Sequence, residues 1–134
     1  MIETKKENDT EKEELVEEVR NFLCSYRLCA DLLQLHRYER KRAKPFEEEF
    51  ECDELLDGNE ACWRARMFAV GSVVAKMKNG REKLMIHYHY IRGESVDHAA
   101  SLLNVSRRTG YRLHHRGLCS AAVIYERLKK NKLI

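Results

Sequence analysis

Residues 106–116 read Ser-Arg-Arg-Thr-Gly-Tyr-Arg-Leu-His-His-Arg and concentrate the side chains best able to do chemistry. Four are arginines, two are histidines, and none is acidic. On a helix, positions 107, 108, 111, 112 and 115 share one face, carrying Arg, Arg, Tyr, Arg and His. Positions 110, 113 and 117 share another, carrying Gly, Leu and Gly. A guanidinium can donate twice to the O6 and N7 of guanine, and Thr109 can meet a phosphate or a thymine methyl. The first turn of a helix is the part that enters a major groove. The chemistry implied is recognition of duplex DNA, with Arg107, Arg108 and Arg112 as leading contacts. Ser106, Thr109, Tyr111, His115 and Arg116 complete the candidate DNA-binding set. His114 reads as a spectator, and His115 enters only through its place on the outward face.

Such a helix must be held by its start. Ser95 suits the cap of one helix and Ser106 the cap of the next. Ala100 is small enough for two helices to cross closely, and Leu103 follows it by three into the core. Asn104 accepts a left-handed backbone, and Val105 packs under the turn. Small-x-x-Leu-Asn-Val-Ser is the sequence form of a helix-turn-helix. The bland alternative is a basic, solvated helix lying on its neighbour. The coincidence of cap, small residue, turn residue and cationic first turn favours DNA binding.

Other chemistries are poorly served. His115 and Cys119 are four apart, but a zinc site needs three or four ligands together. A nucleophilic cysteine needs a histidine and an orienting partner. No Gly-rich phosphate loop and no strand-turn-helix elbow accompanies the five cysteines and six histidines. No metal, no cofactor and no enzymatic activity is expected.

The chain has 134 residues with 43% hydrophobic and 35% charged types, enough for one core. One proline and six glycines argue against a many-turned β-sandwich. The net charge of +3 conceals an asymmetry. Residues 1–60 hold 10 Lys+Arg and 18 Asp+Glu, whereas 61–134 hold 15 and 4. One half is thus suited to a polyanion and the other is not. The cysteines (24, 29, 52, 62 and 119) are odd in number and form no CxxC pair, so reduced thiols are expected. Cys24 and Cys29 read as small core residues. No apolar run approaches the roughly 20 residues that span a bilayer. The acidic, polar first residues do not resemble a signal peptide. A cytoplasmic protein without membrane contact is expected.

The elements read as all-α. Residues 1–10 are polar and expected to fray. A helix follows from Glu11, with Leu15, Val19, Phe22, Tyr26, Cys29 and Leu33 on one face. Its breadth suggests burial against more than one neighbour. That face is expected to pack on the second helix or on a second copy, making residues 15–35 the candidate homodimer surface. Lys44-Pro45 ends the helix. Residues 46–60 read as an acidic connector closing in a turn at Asp57-Gly58-Asn59. A second helix is expected over about 59–78, with Asn79-Gly80 closing it through positive φ. A third covers about 81–91 and ends at Arg92-Gly93. A fourth starts near Ser95 and a fifth near Ser106. The division is then 1–60, an acidic packing or oligomerisation segment, and 61–134, a basic DNA-binding domain.

Residues 81–93, with their Tyr-Ile-Arg-Gly ending, and the two crossed helices after them resemble the fourth region of sigma-70-type factors. More closely, residues 62–128 resemble the ArpU/RinA-like phage transcriptional regulators, which join an acidic helical N-terminal part to a sigma-like helix-turn-helix. The resemblance implies a phage or prophage late-gene activator that binds DNA upstream of a promoter and engages host RNA polymerase. Gly110 and Gly117 depart from it, standing where the family has a branched apolar residue and an alanine. Each weakens a helix by about 1 kcal/mol against Ala. They signal either very close packing or a bend near Gly117. The alternatives are an adaptor that touches polymerase or a repressor without DNA, and a small-terminase-like packaging protein. The latter usually carries its DNA-binding module first, the reverse of the order here.

Overall fold

The computed structural model describes the backbone of residues 2–43 and 53–134 and the side chains of 10–42 and 60–134. Those residues form five α-helices and no strand: α1 (Ile2–Ala43), α2 (Asp53–Ala75), α3 (Gly80–Ile86), α4 (Val96–Leu102) and α5 (Arg107–Lys130). A π-helical turn, His87–Ile91, prolongs α3. No helix among them is long and apolar enough to cross a membrane.

α1 and α2 lie antiparallel. His36 meets Glu60 and Trp63 near the connector, and Tyr26 and Met67 line one hollow further along. Two helical stripes face each other. Val19, Phe22 and Leu23 of α1 are buried together with Val70, Val73, Val74 and Met77. Each large side chain so covered contributes about 1.5–3 kcal/mol. The same core takes in Ile86 and Tyr90, and Leu118, Ala121, Ala122, Tyr125 and Leu128 of α5. The broad stripe of α1 therefore has three neighbours, in line with its width. It is spent within the chain, leaving Leu28 and Leu35 exposed. Of the two expected uses of the 15–35 face, packing on the second helix is the one seen within the chain, with Leu28 and Leu35 left outside it. It also ties the acidic segment to the basic one, so α1 is a packing helix of the whole body.

Several boundaries move. α1 begins at Ile2, so the polar run 1–10 is helical from its second residue. α2 begins at Asp53, and Gly58-Asn59 lies inside it. A helical glycine costs only about 1 kcal/mol, and tertiary contacts just beyond it prevail. Glu60 is buried and meets His36 at 3.1 Å, Arg64 at 2.6 Å and Arg37 at 3.7 Å. The Lys44-Pro45 break and the connector up to residue 52 fall outside the described residues. α2 stops at Ala75, and Asn79 opens the next helix instead of closing this one. Its φ is −77°, and its side chain accepts from the N–H groups of Arg81 and Glu82. Cys29 is buried, but Cys24 is exposed, off the face that α2 covers.

The helix expected over 81–91 has the right extent but changes pitch. The Arg92 N–H reaches the His87 carbonyl at 3.0 Å, one residue further than in an α-helix. Gly93, at φ +78°, then ends it as expected.

α5 runs uninterrupted through both of its glycines. A Cβ at position 110 would lie 2.5 Å from the Ala100 Cβ. One at 117 would lie 2.7 Å from Ile86 Cγ1 and 3.2 Å from the Glu82 carbonyl oxygen. The glycines mark close approaches of α5 to α4 and α3, and no break in the helix falls at Gly117.

Candidate nucleic-acid interface

α4, its turn and α5 enclose a second, smaller core. Met85, Ala99, Ala100 and Leu113 are buried there, with Tyr88, Val96, Leu103 and Val105 packed around them. Ser95 caps α4, accepting from the His98 N–H at 3.1 Å. Four residues, 103–106, then reverse the chain. Asn104 takes φ +57°, the left-handed conformation expected of it. The N–H groups of Leu103, Asn104 and Val105 reach the carbonyls of Ala99, Ser101 and Ala100 at 3.0–3.1 Å, closing α4. Ser106 caps α5, accepting from the Thr109 N–H at 3.2 Å and donating to Thr109 Oγ1 at 3.0 Å. The start of α5 is thus fixed in depth by Gly110 against Ala100 and in direction by the Ser106 cap.

The eight candidate residues lie together along the cap and first ten residues of α5. Ser106, Arg107, Arg108, Tyr111, Arg112, His115 and Arg116 are exposed. Thr109 is half-buried, its hydroxyl already bonded to Ser106. Arg108, Arg112 and Arg116 follow at steps of four, forming a row along one exposed edge. None of the three has an ion pair among the described residues. Leu113 and Gly117 face inward, as their spacing predicts.

Arg107 is different. An oxygen of the Asp97 carboxylate lies 3.0 Å from its Nε, and its guanidinium lies over the Tyr111 ring, 5.9 Å from the centroid. The Tyr111 hydroxyl and the Asp97 charge together raise the Arg107 pKa. Asp97 was not among the residues read as functional. Its sequence signal was available: it is the sole acid between Glu94 and Glu126. It stands in the first turn of α4, ten residues before Arg107.

His114, read as a spectator, is half-buried beside the π-turn. Its Nε2 shares a 2.7 Å hydrogen bond with the Tyr90 hydroxyl, and its ring stacks on Tyr90 at 5.6 Å. His89 stands edge-on to it at 5.1 Å, with its own Nδ1 2.7 Å from the Glu94 carbonyl oxygen. Burial and the His89 ring push the His114 pKa down to about 4, so it is neutral at pH 7. Burial pushes the Tyr90 hydroxyl up to about 12. The spacing of 24 residues between Tyr90 and His114 offers no local pattern by which sequence could pair them. His115 and Cys119 approach to 3.8 Å on the surface. Among the described residues no group of three His, Cys, Asp or Glu is placed to hold a metal ion.

The arrangement can present a row of unneutralised guanidiniums, on a rod of fixed depth, to an anionic surface. Comparison of the chain with protein-family models, curated proteins and solved structures gives no match.

Proposed function

We propose that the chain is a sequence-specific double-stranded DNA-binding transcriptional regulator that lays the first turns of α5 in the major groove. The observation that carries this is the row Arg108, Arg112 and Arg116, exposed and without carboxylate partners among the described residues, on a helix whose start is capped and closely packed. Had Arg108, Arg112 and Arg116 also been buried or paired with carboxylates, as Arg107 is with Asp97, the helix would offer no free cationic row. The charge division of the chain supports the same reading: the carboxylates are concentrated before residue 61, and Glu18, which α1 brings to α5, bonds to Tyr125 and Lys129 in its second half, beyond the arginine row. The resemblance of residues 62–128 to ArpU/RinA-like regulators makes the specific form a phage or prophage late-gene activator, acting with host RNA polymerase.

Selection of duplexes from a random pool, followed by binding to the enriched sequence across a salt series, tests it. The expected result is one enriched motif, bound with an affinity that falls steeply with salt, by about 0.9 in log–log slope for each phosphate contacted. A folded protein that binds no duplex at 50 mM salt refutes the DNA reading and favours the adaptor.

A further inference from the structure

The geometry points to a division of labour within the cationic helix: Arg107, braced by Asp97 and Tyr111, is the base reader, taking a guanine, whereas Arg108, Arg112 and Arg116 meet phosphates. This deepens the DNA-binding reading and rests on it.

The argument starts from an acid in an unfavourable place. Asp97 is half-exposed beside the first turn of α5, where a carboxylate repels any polyanion that the neighbouring arginines attract. In the first turn of α4 it suits the helix dipole, while its ion pair, between exposed groups, adds little to stability. What it does is orient. The contact is made at Nε, next to the stem, and not at the end-on edge carried by the two terminal nitrogens. Those nitrogens form the planar fork that matches O6 and N7 of guanine. Tyr111, one turn along, places its ring beneath the guanidinium carbon, 5.9 Å from the centroid. Two contacts from two helices thus favour one posture of this otherwise exposed arginine. Ordering a long side chain before binding removes part of the conformational cost of a two-point contact. The same posture suits guanine far better than the other bases. The remaining three arginines have no such brace, which suits contact with phosphates, where direction matters less than charge.

Asp97 is accordingly a positioning residue, and its role is read out at one base position. Duplexes would be selected from a random pool by the full chain and by the D97A, R107A and R108A variants, with helix content checked by circular dichroism. Binding would then be measured to the enriched duplex and to single-base substitutions of it. The wild type should prefer guanine at one position by roughly 5- to 100-fold. R107A should lose that preference. D97A should lose most of it while binding an unrelated duplex as well as the wild type or better. R108A should weaken binding to all sequences alike and lower the salt slope by about 1. A guanine preference unchanged in D97A overturns the proposal. So does R107A weakening all duplexes equally, or a wild type with a motif lacking that guanine. A wild type that binds no duplex removes the DNA reading itself, an outcome distinct from a duplex binder whose motif ignores Asp97.

Discussion

Gly110→Ala is the sharpest perturbation of the unit that carries the arginines. On an open helix the change would stabilise by about 1 kcal/mol. Here the new methyl would stand 2.5 Å from the Ala100 Cβ. Carbon atoms rest at about 3.5–4.0 Å, so the helices must part by about 1 Å or more. Ala100 has no rotamer with which to give way, and it is buried at the centre of a four-residue core. Overpacking of this kind costs about 1–3 kcal/mol, and a clash between two backbone-fixed methyls belongs at the upper end. The net expectation is a loss of about 1–2 kcal/mol, or a fall in Tm of about 3–8 °C for a chain of this length. Urea and thermal unfolding followed by circular dichroism would measure it. Ala100→Gly in the same chain removes the opposing methyl, and the double variant should recover most of the loss attributable to the clash. That coupling is the quantity that tests the reasoning. A Gly110→Ala protein that is more stable than wild type, or no coupling to position 100, would refute the close approach of α4 and α5.

Other outcomes follow from the same geometry. Arg108→Ala should lower affinity for the selected duplex and reduce the salt slope by about 0.9. Glu13→Ala, on α1 and outside the cationic row, should change neither. The folded pKa of His114 lies near 4, below its ordinary value of 6.5. The unfolded chain therefore binds the extra proton first, and stability should decline as pH falls from about 6.5 toward 4. His114→Gln should flatten part of that decline in melts compared at pH 7 and pH 4.5. A wild-type slope left unchanged by the substitution would remove His114 as its source. Asn104→Gly should be tolerated, because glycine adopts the observed φ of +57° without strain. Asn104→Val should cost at least about 1 kcal/mol by denaturant unfolding.

The unit from Ser95 to Leu118 was legible because each of its local choices is a short-range one. A serine cap, a left-handed asparagine and a second serine cap act within three or four residues of themselves. What escaped notice depends on pairs distant in the chain. Asp97 meets Arg107 only once the turn has closed, and Tyr90 meets His114 across 24 residues. Gly110 and Gly117 stood out as anomalies, but only the neighbours Ala100 and Ile86 reveal that they are contact points. Gly58-Asn59 misled because turn propensity is a weak local preference, whereas Glu60 just beyond it is held by three partners. Asn79 is ambiguous by type, since asparagine serves both a C-terminal turn and the N-cap it makes here. The π-turn has no periodic signature of its own: one added residue in a five-residue run is lost within an otherwise helical pattern.

The unequal size of the two cores has a bearing on motion. α5 is anchored through the large core by five buried side chains, from Leu118 to Leu128. α4 is anchored through the small one, where its own buried residues are two alanines. Little apolar area resists its local opening, so its amides exchange with solvent ahead of those in the middle of α5. The arginine row is thereby tied to the better-anchored of the two helices, and rare openings of α4 leave it in place.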